Sequence, residues 1–469
     1  MSSTRRPDPD PATGVAVVGG GMLGLVVALR LAQAGRAVTV VEAGSRVGGL
    51  AAPWELDGEH GPVTWDRFYH VTLASDAALR ALLAEVGLEA QVRWRTTRTG
   101  YWDGHRLVSA STPAELMRLP GLSPWARARL GATLLAGMRI RDPTALERIP
   151  VRRWLERWSG PVTFARFWRP LLEAKLGGAW PDANAAFIWA TIQRLTAARR
   201  AGLRREELGY VPGGYATVLG ALEDRLRRLG VDVRTGAAVT RVETTPAGMR
   251  VHHAAGAPVV AGAVVLTTTP GRAAALIDGL TPDERRTWAG IRYQGVVCAS
   301  LLLRRPLSPY YLTYLVGETP FTAVVEMTAL VDPAELGGHH LVYLPRYASA
   351  DEEVFAASDA ELIDGFLDGL RRIHPGLGTG DVVATRVARA AEVFPIPVLG
   401  ASARIPPVVT SLPGVYLATS AQIRHGTLNV NETVGAAERA AAEILAAERG
   451  AAPPAAPSAV PLGRLGPRR

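Results

Sequence analysis

Three glycines and a glutamate near the amino end have the types and spacing to grip a dinucleotide. Gly19, Gly21 and Gly24 make G-x-G-x-x-G within Gly19-Gly20-Gly21-Met22-Leu23-Gly24, after the apolar run 15–18 and at the start of an apolar, helix-compatible run 23–34. Between a strand and a helix each glycine has a task. Gly19 permits the tight turn, Gly21 lets the main chain approach a pyrophosphate, and Gly24 lets helix and strand pack closely. The helix start, with Met22 and Leu23 in its first turn, offers unpaired N–H groups and a positive dipole end to phosphates. Glu42 ends the next strand-like run, 37–42, where a carboxylate accepts both ribose hydroxyls of an adenosine and repels a 2′-phosphate, which disfavours NADP.

Beyond Glu42, the run Glu42-Ala43-Gly44-Ser45-Arg46-Val47-Gly48-Gly49-Leu50 resembles the R-x-G-G extension of the flavin-containing amine oxidase, phytoene desaturase and protoporphyrinogen oxidase superfamily. Physically, Arg46 can reach phosphates or ribose, and Gly48-Gly49 lets the main chain pass close to the flavin side of the cofactor. The resemblance continues through Val211-Pro212-Gly213-Gly214-Tyr215, 230–242, 263–270, Gly414-Val415-Tyr416-Leu417-Ala418 and the helix from Asn431. It implies FAD as cofactor, Val239 presenting backbone groups to the adenine, and a last helix, holding Asn431 and Val434, whose N-terminus points at the flavin pyrimidine ring. This chain departs twice: Leu50 stands where relatives often carry Arg or Lys, and Thr419-Ser420 replaces the usual Gly-Asp. The contact of that Asp must then be made otherwise, with Ser420, Asn429 and Asn431 at hand; capping the last helix is the plainer role for Asn431.

In such enzymes the flavin accepts the hydride, and the protein supplies position, electrostatics and water exclusion. No nucleophile–base triad or metal motif competes. His252-His253 and His339-His340 lie in strand-like runs where neighbours face opposite sides, so each pair is a poor chelate. The segment Gly61-Pro62-Val63-Thr64-Trp65-Asp66-Arg67-Phe68-Tyr69-His70 stands where relatives pass a loop near the flavin face. Its G-P…F-x-H ending is similar to UDP-galactopyranose mutase, which implies His70 as a polar residue at the ring, with Tyr69 toward the substrate; a structural histidine is the equal alternative. Lys175 is the only lysine, and unlike arginine it can shed a proton near neutrality, although a surface position is its plainer reading. Tyr343 and Arg346 on one strand, and Arg386 and Arg389 on a later one, are candidates to line a substrate pocket.

These side chains meet only if strand, turn and helix alternate at 15–18, 23–34 and 37–42, the spacing of a βαβ unit. From about Ser75 the chain reads as mainly helical to about Arg205, with Leu79, Leu82, Leu83 and Val86 on one face. Helix 215–229 then leads to strands 231–235, 239–243, 250–253 and 263–267. Runs 296–303, 310–316, 322–327 and 340–344, rich in Val, Leu, Thr and Tyr, predict an antiparallel sheet closed by helix 359–373. The chain returns through strand 382–388, a turn at Pro395 and Pro397, strand 415–419 and helix 431–449. The expected fold class is α/β: a Rossmann-like FAD-binding domain (12–75, 206–290 and 385–449) interleaved with an α+β substrate domain (76–205 and 291–384), an antiparallel sheet plus a helical insertion. Residues 1–11 and 450–469, rich in Pro, Ala and Arg, read as disordered tails.

A chain of 469 residues with 48% hydrophobic content exceeds the one-domain prior of about 150 and excludes a disordered, collagen-like or coiled-coil protein. The single cysteine, Cys298, excludes an internal disulfide and any cysteine-based metal site. Apolar runs are broken well before the ~20 residues a spanning helix needs. No targeting segment stands out, so a cytoplasmic protein is expected, soluble or on a membrane surface. Of the net charge of +9, +6 lies between 151 and 210, together with Trp154, Trp158, Trp168, Trp180 and Trp189. Such a stretch is either a helical domain with buried indoles and solvated arginines or a face for an anionic membrane or ligand. The resemblance implies an FAD-dependent oxidoreductase that oxidises a C–C or C–N bond of a bulky or lipophilic substrate. With one dinucleotide fingerprint present, oxygen or a quinone is the expected electron acceptor, and no nucleic acid is expected as a partner. A mutase-like flavoenzyme on a nucleotide sugar, and an FAD-bearing membrane or partner-binding protein, are the alternatives.

Overall fold

The computed structural model describes residues 14–199, 207–246, 248–427 and 429–450; most of the expected tails lies outside the described residues. Five parallel strands form the nucleotide-type sheet, in the order Asp232–Arg234, Val38–Val41, Val15–Val18, Ala263–Leu266 and Val415–Leu417. Its strands are apolar without alternation because both faces are covered. Val15, Val17, Val40, Val265 and Tyr416 pack under the helices Met22–Gln33 and Val430–Glu448. Ala16, Val18, Val264, Leu266 and Leu417 pack on the other side, with Val242 and Val251 of an antiparallel three-stranded sheet and with Trp288.

The second large sheet has seven strands, in the order Val382–Pro395, Tyr293–Leu303, His340–Ala348, Ala323–Glu326, Leu312–Leu315, Thr99–Trp102 and Leu107–Ser109. One face carries Val296, Cys298, Tyr343 and Ala388 and turns toward Trp65 and Phe68. The other carries Val297, Ala299, Val342 and Leu344 under the helix Asp359–Ile373. Four predicted strands are present, with one difference: Leu312–Leu315 runs parallel to Thr99–Trp102, so the sheet is mixed. The strand expected at 382–388 continues to Pro395, bulged against Tyr293–Leu303.

Two further expectations are corrected. Residues 61–70 are not simply a loop: Gly61–Asp66 pairs with Pro53–Gly58 as a hairpin. The stretch from 75 to 205 is interrupted by the strands Arg93–Thr96, Thr99–Trp102 and Leu107–Ser109 before the helices resume at Pro124–Arg139. From there to Arg199 the insertion has its own core, in which Trp154 and Trp168 are buried and Trp180 and Trp189 are packed against it.

Candidate active site

The glycine turn has the conformation its sequence demands. Gly19 has φ +111°, and a Cβ there would stand 2.6 Å from Thr267 Oγ1. At Gly24 a Cβ would overlap the Gly19 carbonyl. Gly21 is the N-cap of the helix Met22–Gln33 and provides no side-chain cap, so the first-turn amides are left for a ligand. The nearest atom to a Cβ on Gly21 is Gly49 Cα at 3.9 Å, leaving the room a pyrophosphate needs. Gly48 and Gly49 are left-handed, at φ +117° and +58°, and Gly48 N–H donates to the Gly20 carbonyl at 2.8 Å. Thus the paired glycines lie against the first turn. Arg46 is exposed beside them, with no ion pair among the described residues.

Glu42 takes the Gly20 amide on Oε2 and the Gly44 amide on Oε1, both at 2.6 Å. A carboxylate has about four lone-pair positions, so two hydroxyls can still be accepted. Val239 starts its strand next to this edge, because Ala237 N–H donates to the Glu42 carbonyl and Gly236 N–H to that of Gly44. At the other end, Ser420 lies just past the strand Val415–Leu417 with Oγ 3.5 Å from Tyr293 Oη, which joins the nucleotide sheet to the seven-stranded one. A polar track therefore runs from Glu42 past Gly21 and Arg46 toward Ser420, and the donor set fits FAD.

The last helix corrects one assignment. Asn429, not Asn431, is its N-cap, accepting from Glu432 N–H at 3.0 Å. Asn431 Oδ1 instead accepts from Ala78 and Leu79 N–H, capping the helix Ala77–Glu85. Val434 has no exposed surface and packs in the core under the parallel sheet, while Leu50, Met22 and Leu23 are buried or half-buried near the turn.

Beyond the cradle, the insertion docks on the seven-stranded sheet, and Tyr69, Tyr347 and Lys175 bound a candidate substrate chamber where the two meet. Tyr69 and Tyr347 meet hydroxyl to hydroxyl at 3.1 Å. Lys175 Nζ stands 6.0 Å from the Tyr69 ring centre and 5.9 Å from that of Tyr347. It is half-buried, deep beside the two rings. Burial first, and the Arg194 charge second, push its pKa down to about 8. Burial pushes both tyrosines up, so they keep their protons. Local backbone explains the placement. A π-helical turn, Phe164–Trp168, leads into Arg169–Leu176, which ends at Gly177 with φ +51°. A Cβ on Gly177 would press within 2.6 Å of the Tyr347 carbonyl, so the glycine lets this helix dock on the sheet beside Tyr347. Gln294 lies against Gly177, fully buried, and neither of its amide atoms has a protein partner.

The other candidates separate by strand parity. His70 faces away from Tyr69, against the Tyr215 ring (4.9 Å between centres) and 3.7 Å from Asp66 Oδ2, beside a cavity of about 20 Å³ that holds at most one water. Tyr343 is on the chamber face but wholly buried, with its hydroxyl spent on the Asp66 carbonyl. Arg346 and Arg389 lie on the opposite face of the sheet, on the Thr319 carbonyl and on Asp359 respectively, and neither lines the chamber. Arg386 stays on the chamber side at the sheet edge, stacked 4.8 Å over Trp54 and bonded to the Glu55 carbonyl. Arg67, not singled out in the sequence, holds the Gly49 carbonyl at 2.6 Å; burial, then the nearby charge of Arg386, lower its pKa. Neither guanidinium meets a carboxylate among the described residues. Tyr347 and Gln294 were also missed, although Tyr347 shares its parity with Tyr343, the one signal that could have found it.

The family described as flavin containing amine oxidoreductase matches residues 23–445. No curated protein matches the chain. Among solved structures, a proposed protoporphyrinogen oxidase from Exiguobacterium sp. 255-15 is similar at 18% identity and TM-score 0.72, over 92% of this chain and 98% of that one. A reduced UDP-galactopyranose mutase is similar at 14% identity and TM-score 0.72, over 93% and 96%. A putrescine oxidase bound to putrescine is similar at 18% identity and TM-score 0.67, over 92% and 99%.

Proposed function

The chain belongs to the flavin containing amine oxidoreductase family and is an FAD-dependent oxidoreductase; from that premise, we propose that it oxidises a C–C or C–N bond of a bulky or lipophilic substrate held in the chamber between Tyr69, Tyr347 and Lys175. The observation that carries this reading is the enclosed lysine between two aromatic faces, on a sheet that reaches the cofactor cradle through Tyr293 and Ser420.

Gly19, Gly21, Gly24, Glu42, Arg46, Gly48 and Gly49 would hold FAD, which when bound supplies a two-electron hydride acceptor. The chain does the rest. Tyr69 and Tyr347 offer O–H groups and ring faces to an apolar or cationic group and exclude water. Lys175, with a pKa of about 8, exchanges a proton at Nζ near neutrality, which no arginine can do. The single dinucleotide fingerprint leaves oxygen or a quinone to take the electrons. Anaerobic titration of the yellow protein with candidate amines and unsaturable lipophiles tests the reading: bleaching of the flavin band is expected. A flavin that dithionite reduces but no such compound bleaches would overturn it. One observation favours a second reading. Arg67 and Arg386, close together without a carboxylate, suit an anionic substrate such as a nucleotide sugar. Turnover that starts only after prior reduction, with no net redox change, would mark that mutase-like case.

A further inference from the structure

We propose that Trp65, Asp66, His70 and Tyr215 form a binding site for a single water molecule, a neutral ligand that both donates and accepts hydrogen bonds, and that this water fixes the segment presenting Arg67 and Tyr69. The four residues line a cavity of about 20 Å³. A water needs about 10–15 Å³ of such space and two to four polar partners, so the cavity admits one and nothing larger. Polar atoms without partners surround it. Trp65 Nε1, His70 Nδ1 and Tyr215 Oη are each buried, and none has a hydrogen-bond partner in the protein. Trp65 is 1% exposed and Tyr215 7%, so bulk solvent does not satisfy them. Asp66 Oδ1 accepts from Tyr215 N–H at 2.7 Å, but Asp66 Oδ2 receives no donor among the described residues and lies 3.7 Å from His70 Nδ1, too far for a direct hydrogen bond. A buried polar atom left alone is costly, and four around one cavity call for a shared partner.

The chemistry of the four atoms selects the ligand. Trp65 Nε1–H can only donate, which disfavours a metal or ammonium ion. No group of metal-ligating side chains occurs among the described residues. The Asp66 carboxylate can only accept, which disfavours chloride or any other anion. Burial, then the charges of Asp66 and Asp76, push the Tyr215 hydroxyl well above its ordinary pKa, so it keeps its proton and can donate. Water answers all four. It accepts from Trp65 and Tyr215 and gives its two protons to Asp66 Oδ2 and to His70 Nδ1, with the imidazole proton on Nε2.

Placement gives this water a task. Asp66 ends the hairpin strand Gly61–Asp66 and takes the Tyr215 amide in the first turn of the helix Gly214–Arg228. The fit is close: Gly214 has φ +64°, and a Cβ there would stand 2.8 Å from Asp66 Oδ1. His70, four residues on, packs its ring on that of Tyr215, so both ends of the segment 66–70 meet one helix. Between those ends lie Arg67, which holds the Gly49 carbonyl of the cradle, and Tyr69, which meets Tyr347. A water bonded to Asp66, His70 and Tyr215 together locks the segment, and with it the two side chains it carries. The substrate role of Tyr69 rests on the function proposed above; the water site does not.

Crystallography of the FAD-loaded full chain, at a resolution that shows ordered water, tests the proposal together with Tyr215→Phe and His70→Phe. One peak is expected in the cavity, about 2.7–3.2 Å from at least three of the four atoms. Each variant keeps an aromatic ring and removes one partner, so the peak should be lost and the melting temperature should fall by roughly 2 °C. Both variants lose the same water, so the double variant should lose less stability than the two single losses combined. A cavity without a peak, a peak with the shorter contacts of a metal ion, or two losses that simply add would each overturn the proposal.

Discussion

A lysine enclosed by protein gives up its proton more readily than one in water, and Lys175 makes that visible twice. Its folded pKa of about 8 lies below the ordinary 10.5, so between these values the unfolded chain holds a proton that the native chain has released. Stability therefore rises with pH across that window, and below about 8 the full cost of burying the charge, on the order of 3 kcal/mol, is present. Lys175→Met is expected to raise the stability of the apoprotein below pH 8 and to change it little above pH 10.5, as denaturant midpoints at several pH values will record. In the holoenzyme the same change should remove a rising limb of kcat/KM centred near pH 8. An unchanged limb would place the titrating group elsewhere. The lysine's rarity was legible in the sequence, but its depth was not, because depth depends on the π-helical turn at Phe164–Trp168 and on the glycine at 177. His70 and Arg346 show the converse. Each adjoins a chamber residue in sequence, yet strand alternation turns Arg346 to the other face, and His70, past the end of the hairpin, packs on Tyr215 instead.

Among elements, the helix Val430–Glu448 does more than close the nucleotide sheet. Through Asn431 it caps Ala77–Glu85, and through Glu438 it shares Arg30 with Glu85. Asn431→Ala should lower stability by about 1 kcal/mol, read as a reduced denaturant midpoint at constant slope. Gly24→Ala is a harsher change, since the new methyl group would collide with the Gly19 carbonyl and approach Thr267 Oγ1 at 2.8 Å. The purified variant is expected to lack bound flavin. Beyond the last parallel strand, His425 is the only non-glycine residue with positive φ among those described, at 50°. Its Nε2 lies 2.6 Å from Glu147 Oε1 of the insertion, and Glu147 also holds Ser402 and the Gly400 amide. His425→Ala should therefore loosen the segment around 420–427, and limited proteolysis should cut there sooner.

For the molecule as a whole, the nucleotide half was legible because each of its parts carries a local signal: a glycine turn, an acidic strand end, and strands apolar on both faces. The hairpin Pro53–Asp66 and the strand Arg93–Thr96 were not. Arg93, Arg95 and Thr96 are all exposed, so no apolar alternation announces that strand, and its partner Glu207–Tyr210 is more than a hundred residues away. FAD binds only where both ends of the cradle are in place, so its removal should lower the melting temperature; at a hundredfold excess over Kd the stabilisation is about 2.7 kcal/mol. A melting temperature indifferent to added FAD would contradict the cradle described.

The order of the parallel strands also governs how the chain is made. Val15–Val18 lies at the centre of its sheet, between Val38–Val41 and Ala263–Leu266, and Val415–Leu417 is added last. A nascent polypeptide released only as far as residue 260 bares one flank of this apolar strand for more than two hundred residues of translation, a standing invitation to clump. Fragments ending before residue 263, which leave that flank uncovered, are expected to accumulate as inclusion bodies.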